Sequence, residues 1–209
     1  MEIEGFILAG GASSRMGEDK SRLSLGGRTF VETSAGALRA VAARVSVVSS
    51  RAGAGSHGLP VVEDLRAGLG ALGGLHAALK SCRAEWAAVV ACDLPFVTGE
   101  LLARLTSLRS DETDATDAVV PLQKDGRVQP LCALYRARVC LEQVEEMIHA
   151  GELRPRALLS RVRARLVAFE ELRGLAGSSR FFLNVNTPED YALALGEGDA
   201  DEIRRTGVE

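Results

Sequence analysis

Uninterrupted apolar runs alternate with stretches of helical spacing along this chain. Gly5–Ala9 reads as a short buried strand that passes directly into a glycine-rich loop. Thr29–Ala43 has helical spacing through Phe30, Val31, Leu38 and Val41. Val45–Val48 is β-branched and strand-like, and Leu59–Val62 is a second short apolar run. Leu72–Cys82 predicts an Ala/Leu helix, Trp86–Ala91 an apolar strand, and Leu101–Leu108 a helix capped by Thr98. The runs around Val47 and Val89 show no polar alternation, as expected of strands covered on both faces. Strand and helix in turn predict an α/β fold: a Rossmann-like, mostly parallel sheet with helices on both faces.

The texture changes after Ser110. Ser110–Asp117 is acidic and predicts a solvated loop. Ala118–Leu122 and Leu131–Tyr135 predict strands around a Lys124-Asp125-Gly126 turn. Val139–Ala150 and Pro155–Val162 predict helices, and Phe181–Val185 a last strand. Thr187-Pro188-Glu189-Asp190 then opens a final helix: threonine suits the N-cap, proline the first position, and acids the first turn. The arginines at 154, 156, 161, 163 and 165 read as a solvated helix face. The expected organisation is a single domain over 1–195, in two halves of about 1–110 and 111–195, and a polar tail 196–209 that frays.

Composition narrows the class. The 209 residues are 46% hydrophobic, 25% charged and only 4% aromatic, so the core is mostly aliphatic. A net charge of −3 argues against a global nucleic-acid binder. Cys82, Cys92, Cys132 and Cys140 form no Cys-x-x-Cys pair, and His57, His76 and His149 are scattered, so reduced thiols rather than a zinc site are expected. The acidic start Met-Glu-Ile-Glu is not that of a secretory signal. No stretch approaches the roughly 20 apolar residues of a membrane span. A cytoplasmic protein without membrane contact is the expectation.

The chemistry begins at the first strand's end, where Leu8 and Ala9 lead into Gly10, Gly11, Ala12, Ser13, Ser14, Arg15, Met16, Gly17, Glu18, Asp19 and Lys20. Glycines let backbone N–H groups approach an anion, and successive amides form a nest for phosphate oxygens. Ser13 and Ser14 add hydroxyls, while Arg15 and Lys20 add charge for a polyphosphate. The segment is neither a Walker A loop nor a Gly-x-Gly-x-x-Gly loop. Asp93 follows the Trp86–Ala91 run, at the edge where open parallel sheets bind ligands. It could cap the turn before Pro95, but its position suits Mg²⁺, which takes one or two carboxylates and completes its shell with phosphate and water. Asp64 follows Leu59–Val62 and precedes four glycines within seven residues, Gly68, Gly70, Gly73 and Gly74. For Gly73 and Gly74, ligand approach and tight helix packing are equally good explanations.

The pattern Leu-Ala-Gly-Gly-x-Ser-x-Arg-Met-Gly-x-Asp-Lys resembles the signature of the molybdenum cofactor guanylyltransferases, within a superfamily that includes nucleotide-diphospho-sugar transferases. Cys92-Asp93-Leu94-Pro95-Phe96 resembles the family's metal-binding block. Asp64 to Gly74 resembles its nucleoside-contacting stretch, with Ala71 where proline is usual. Val48-Ser49-Ser50-Arg51 lacks the family's asparagine. Val128–Tyr135, with Gln129, resembles a segment lining the pterin side. Asn184 and Asn186 match the family's Asn-x-Asn-Thr-Pro-Glu block, and on a strand they would share a face.

The resemblance implies GMP transfer from GTP to the terminal phosphate of molybdopterin, or of its metal-loaded form, with Mg²⁺ (Mn²⁺ as the alternative) on Asp93. Catalysis would rest on Arg15, Lys20 and Asp93. It implies as partners only these substrates, with transient contacts to other cofactor-biosynthesis proteins and acceptor molybdoenzymes. The alternatives are a CTP-using pterin cytidylyltransferase, a sugar- or alcohol-phosphate nucleotidyltransferase, and a non-catalytic nucleotide- or cofactor-binding partner.

Overall fold

The computed structural model describes residues 2–9, 23–49, 56–64, 68–109 and 116–196. Strand β1 (Ile3–Leu8) is followed by a small hairpin, β2 (Ser24–Leu25) and β3 (Arg28–Thr29), and then by helix α1 (Phe30–Leu38). Next come β4 (Arg44–Ser49), β5 (Val61–Glu63), α2 (Gly70–Ser81), β6 (Trp86–Ala91) and α3 (Gly99–Ser107). The second half supplies β7 (Ala118–Pro121), β8 (Cys132–Arg136), α4 (Ala137–His149), a 3₁₀ turn at Pro155–Ser160 and β9 (Ala164–Val167). Residues 188–196 form a last helix, α5.

Seven strands make one sheet in the order β5-β4-β1-β6-β8-β7-β9, apart from the β2–β3 ribbon. All run parallel except β8, which is antiparallel to both β6 and β7. The mostly parallel sheet predicted from the run pattern is therefore present, with one reversed strand.

Strand β1 shows why its sequence lacks polar alternation. Ile3 and Ile7 face α1 and α3, packing with Val31, Leu38, Leu101 and Leu105. Phe6 and Leu8 face α2 and α4, packing with Leu72, Leu75, Val144 and Met147. Each fully buried Leu or Phe contributes about 1.5–3 kcal/mol over its exposed state, so covering both faces is what holds the central strands. Two helix starts are capped, that of α3 by the expected Thr98 and that of α1 by Thr29, which the spacing places inside the helix. Thr29 and Glu32 form a reciprocal capping box on α1, and Thr98 Oγ1 accepts from Leu101 N at 3.2 Å on α3.

Four expectations need correction. Residues 181–185 are not a strand: Phe181 follows a 3₁₀ turn at Ser178–Arg180 and is buried in the core on its own side chain. Pro155–Val162 is not an α-helix but a 3₁₀ turn ending at Ser160. The arginine-rich segment is not one solvated helix face. Arg163 precedes and Arg165 lies in the unforeseen strand β9, and the segment is spent on internal ion pairs: Arg154 with Glu152, Arg161 with Glu146, Arg163 with Asp117, Arg165 with Glu171. Asp117 is not solvated either. It is only 3% exposed, because Arg163 supplies the charge and hydrogen bonds that make burial of its carboxylate tolerable.

Candidate active site

Register places the site. Leu8 pairs with Val48 on one side and with Ala91 on the other, and Ser49 pairs with Glu63, so β1, β4, β5 and β6 end on one rim. Asp64 and Asp93 both stand just past that rim. The strands that carry them are three steps apart, roughly 14 Å at the usual strand spacing. Between them β1 delivers Leu8, which is buried, and Ala9, whose N–H donates to Val48 O at 2.9 Å.

The glycine-rich loop leaves from Ala9 and rejoins the fold at Leu23. Gly10, Gly11, Ser13, Ser14, Arg15 and Lys20 lie outside the described residues, as do Ser50 and Arg51. Both ends of the loop are fixed. Leu23 is buried with Phe30, Val185 and Ala194, and its carbonyl accepts from Phe30 N at 2.9 Å. Tyr191 of α5 stacks edge-on against Phe30 and donates its hydroxyl to Ser24 O at 2.6 Å. The loop is thus anchored beside Asp93 at one end and beside residues 184–186 at the other.

Asp93 sits in a turn in which Leu94 N donates to Ala91 O at 3.2 Å. Its own carbonyl accepts from Val185 N at 2.9 Å. That one bond brings Asn184 and Asn186 to the carboxylate's neighbourhood without any strand. Val185 between them is fully buried, Asn184 is exposed and Asn186 half-buried, so the two asparagines flank a hydrophobic anchor. The strand on which the two asparagines were expected to share a face is absent, and this anchor and the α5 cap hold them instead. In the cap, Asp190 Oδ2 accepts from Asn186 N at 3.0 Å and Thr187 N at 2.9 Å, while Thr187 Oγ1 accepts from Asp190 N at 3.1 Å.

The reversed β8 completes the rim. Because it runs backwards, its incoming segment rather than its outgoing one meets the end of β6: Ala91 N donates to Leu131 O at 2.7 Å. Gln129 is held through both main-chain groups, its N–H on Pro121 O at 3.0 Å and its carbonyl on Cys132 N at 3.1 Å. Tyr135, fully buried, donates its hydroxyl to Pro130 O at 2.6 Å. Burial pushes that phenol well above its ordinary pKa, so it remains a donor. Tyr135 escaped the sequence reading as a supporting residue; a tyrosine in an otherwise aliphatic strand was the available signal. Arg180 is a second such residue, with its guanidinium 4.8 Å over the ring of Phe96, three residues past Asp93.

Asp64 closes the other end. Its N–H continues the ladder to Ser49 O at 3.0 Å, and its carboxylate lies against Gly73 in α2. Leu69, the residue that starts α2, makes no side-chain cap. Among the described residues no cluster of three or more His, Cys, Asp or Glu is arranged for a metal. No helix among them is long and apolar enough to cross a membrane.

A nucleotide-type sheet, a glycine-, arginine- and lysine-bearing loop after its first strand and two rim aspartates define a nucleotidyltransferase. The chain belongs to the MobA-like NTP transferase domain family, whose profile matches residues 5–167. It is 37% identical over 93% of its length, and 92% of the relative's, to the "Probable molybdenum cofactor guanylyltransferase" of Pelotomaculum thermopropionicum. It is 33% identical to the "Molybdenum cofactor guanylyltransferase" of Desulfosudis oleivorans, covering 92% of this chain and 94% of that one. Among solved structures it resembles molybdopterin-guanine dinucleotide biosynthesis protein A from Archaeoglobus fulgidus, with TM-score 0.76, 26% identity and coverage of 94% and 99%. The 2-C-methyl-D-erythritol 4-phosphate cytidylyltransferase of Thermus thermophilus shares the fold, with TM-score 0.67, 22% identity and coverage of 95% and 100%.

Proposed function

We propose that this protein transfers GMP from GTP to the terminal phosphate of molybdopterin or the molybdenum cofactor, releasing pyrophosphate. Similarity to molybdenum cofactor guanylyltransferases along nearly the whole of both chains is the observation that carries this reading. The rim supports it, because the main chains of Asp93 and Val185 are hydrogen-bonded there although they are distant in sequence.

In the reaction, an oxygen of the acceptor's phosphomonoester bonds to the α-phosphorus of GTP, and the bond from that phosphorus to the pyrophosphate oxygen breaks. A phosphomonoester has a second pKa of about 6 and is mostly dianionic at neutral pH, so no general base is required. The work is to bring two anions together and stabilise the departing one. Arg15, Lys20 and the amides of Gly10, Gly11, Ser13 and Ser14 serve the triphosphate, following Leu8 and Ala9. Asp64 serves the nucleoside, and Gln129, Asn184 and Asn186 hold the acceptor. Asp93 would hold Mg²⁺ or Mn²⁺, which neutralises phosphate charge when bound. The domain runs over 1–195, with nucleotide and acceptor halves meeting near 110 and 196–209 as a polar tail. The protein acts in the cytoplasm, where its four cysteines, free in the structure, remain thiols, and it passes its product to acceptor molybdoenzymes.

The test is pyrophosphate release on mixing the protein with GTP, Mg²⁺ and molybdopterin. Asp93→Asn should abolish it and leave the thermal unfolding temperature nearly unchanged; full turnover by that variant would refute the metal role. Tighter calorimetric binding of CTP than of GTP would overturn the guanylyl assignment.

A further inference from the structure

Gly73 and Gly74 stand side by side in α2, and the structure gives them different tasks. A Cβ on Gly74 would meet Leu8 Cδ1 and Cδ2 at 3.6 Å, ordinary contact between a helix and β1. A Cβ on Gly73 would lie 3.0 Å from Asp64 Oδ2, 3.2 Å from Asp64 Oδ1 and 3.1 Å from Leu69 Cβ. Gly73 is not among the glycines with positive φ, so its backbone does not require glycine. Within a helix, glycine is also a poorer choice than alanine. What glycine provides at 73 is space, and the Asp64 carboxylate fills it.

We infer that Gly73 is a positioning residue for nucleotide recognition, setting the Asp64 carboxylate through the space it leaves. The inference rests on the proposed role of Asp64 toward the nucleoside. The surroundings limit how a methyl group at 73 can be accommodated. The Asp64 main chain is tied to β4 through Ser49 O, and Leu69 begins the helix itself. The Asp64 carboxylate must therefore give by a few tenths of an ångström to admit the methyl group. Its backbone stays in place while its oxygens leave the position from which they meet the nucleoside.

The experiment is calorimetric GTP binding with Mg²⁺, alongside steady-state kinetics, for Gly73→Ala, Asp64→Ala, the double variant and Gly36→Ala. Gly36 lies in α1 with open space around it and serves as the control for exchanging a helical glycine. Gly73→Ala should weaken GTP by about tenfold, the equivalent of one hydrogen bond to a charged group. It should raise the KM for GTP with little change in kcat, and leave thermal stability equal or higher. The double variant should bind no worse than Asp64→Ala, because both changes remove the same contact, and Gly36→Ala should bind as wild type. If Asp64→Ala weakens GTP while Gly73→Ala does not, or if the two losses add, the positioning role of Gly73 is wrong and Asp64 retains its own. If Asp64→Ala binds GTP normally, the nucleoside role of Asp64 fails, and the inference with it.

Discussion

The Asp117–Arg163 clasp makes a prediction whose magnitude differs between its two halves. The Asp117 side chain is 4% exposed, whereas that of Arg163 is 63% exposed. Arg163 donates from Nε to Oδ2 at 2.9 Å, from a terminal nitrogen to Oδ1 at 3.0 Å, and from its backbone N–H to Oδ2 at 3.1 Å. Asp117→Ala leaves a guanidinium that water can solvate, so it should cost about 1.5–3 kcal/mol, the worth of charged hydrogen bonds. Arg163→Ala leaves a buried carboxylate with one backbone donor, and should cost about 3–5 kcal/mol. The double variant should recover part of the Arg163→Ala loss. Burial pushes the Asp117 carboxyl upward, but the hydrogen bonds and charge of Arg163 outweigh it and hold the pKa below its ordinary value. A lowered carboxyl pKa contributes stability that is complete above the unfolded value of about 3.9 and is lost as pH falls through the folded value. In Arg163→Ala only the backbone N–H at 163 and the charge of Arg136 still oppose burial, and protonation relieves it, so the gap to wild type should narrow below about pH 4. Urea unfolding of the three variants at pH 7 and at acidic pH measures both effects. A cost for Asp117→Ala larger than that for Arg163→Ala would refute the reasoning.

Two further substitutions probe the frame of the site. Gly99→Ala should destabilise by about 1–3 kcal/mol, since its Cβ would fall 2.7 Å from Ala40 Cβ where α3 starts beside the end of α1; an unchanged or higher unfolding temperature would contradict that packing. Thr187→Ala removes the α5 cap and should cost about 0.5–2 kcal/mol. Hydrogen exchange should show faster opening at the start of α5, and uniform protection would argue against the cap.

Much of the first half was legible because its signals are local. Trp86–Ala91 has the bounds expected from its apolar run, and Thr98 caps the helix that follows it. Asp64 and Asp93 could be placed on one rim because parallel strands must end together. The second half depends on distant partners. Strand β9 pairs with β7 across more than forty residues, and its Ala-Arg-Leu-Val sequence offers no long apolar run. Asp117 looked like part of an acidic loop because the arginine that buries it lies 46 residues away. Asn184 and Asn186 were expected on a strand, but Val185 between them is gripped by the core and by Asp93, and no ladder is involved. Local spacing also could not separate Gly73 from Gly74, since only the packed structure shows which neighbour each one meets.

The reversal of β8 has a consequence for how such a protein can diverge. On the β1–β4–β5 side, the rim is made by the paired ends of the strands themselves, Leu8 beside Val48 and Ser49 beside Glu63. Beside β6 the rim is made by a segment still on its way into a strand, between Pro121 and Cys132. Connections of that kind absorb insertions and deletions at small entropic cost and vary freely while the scaffold holds. The wall next to Asp93 can therefore change in length while the paired strands opposite keep their register, which on the proposed reading would let it fit a new acceptor without altering the nucleotide side.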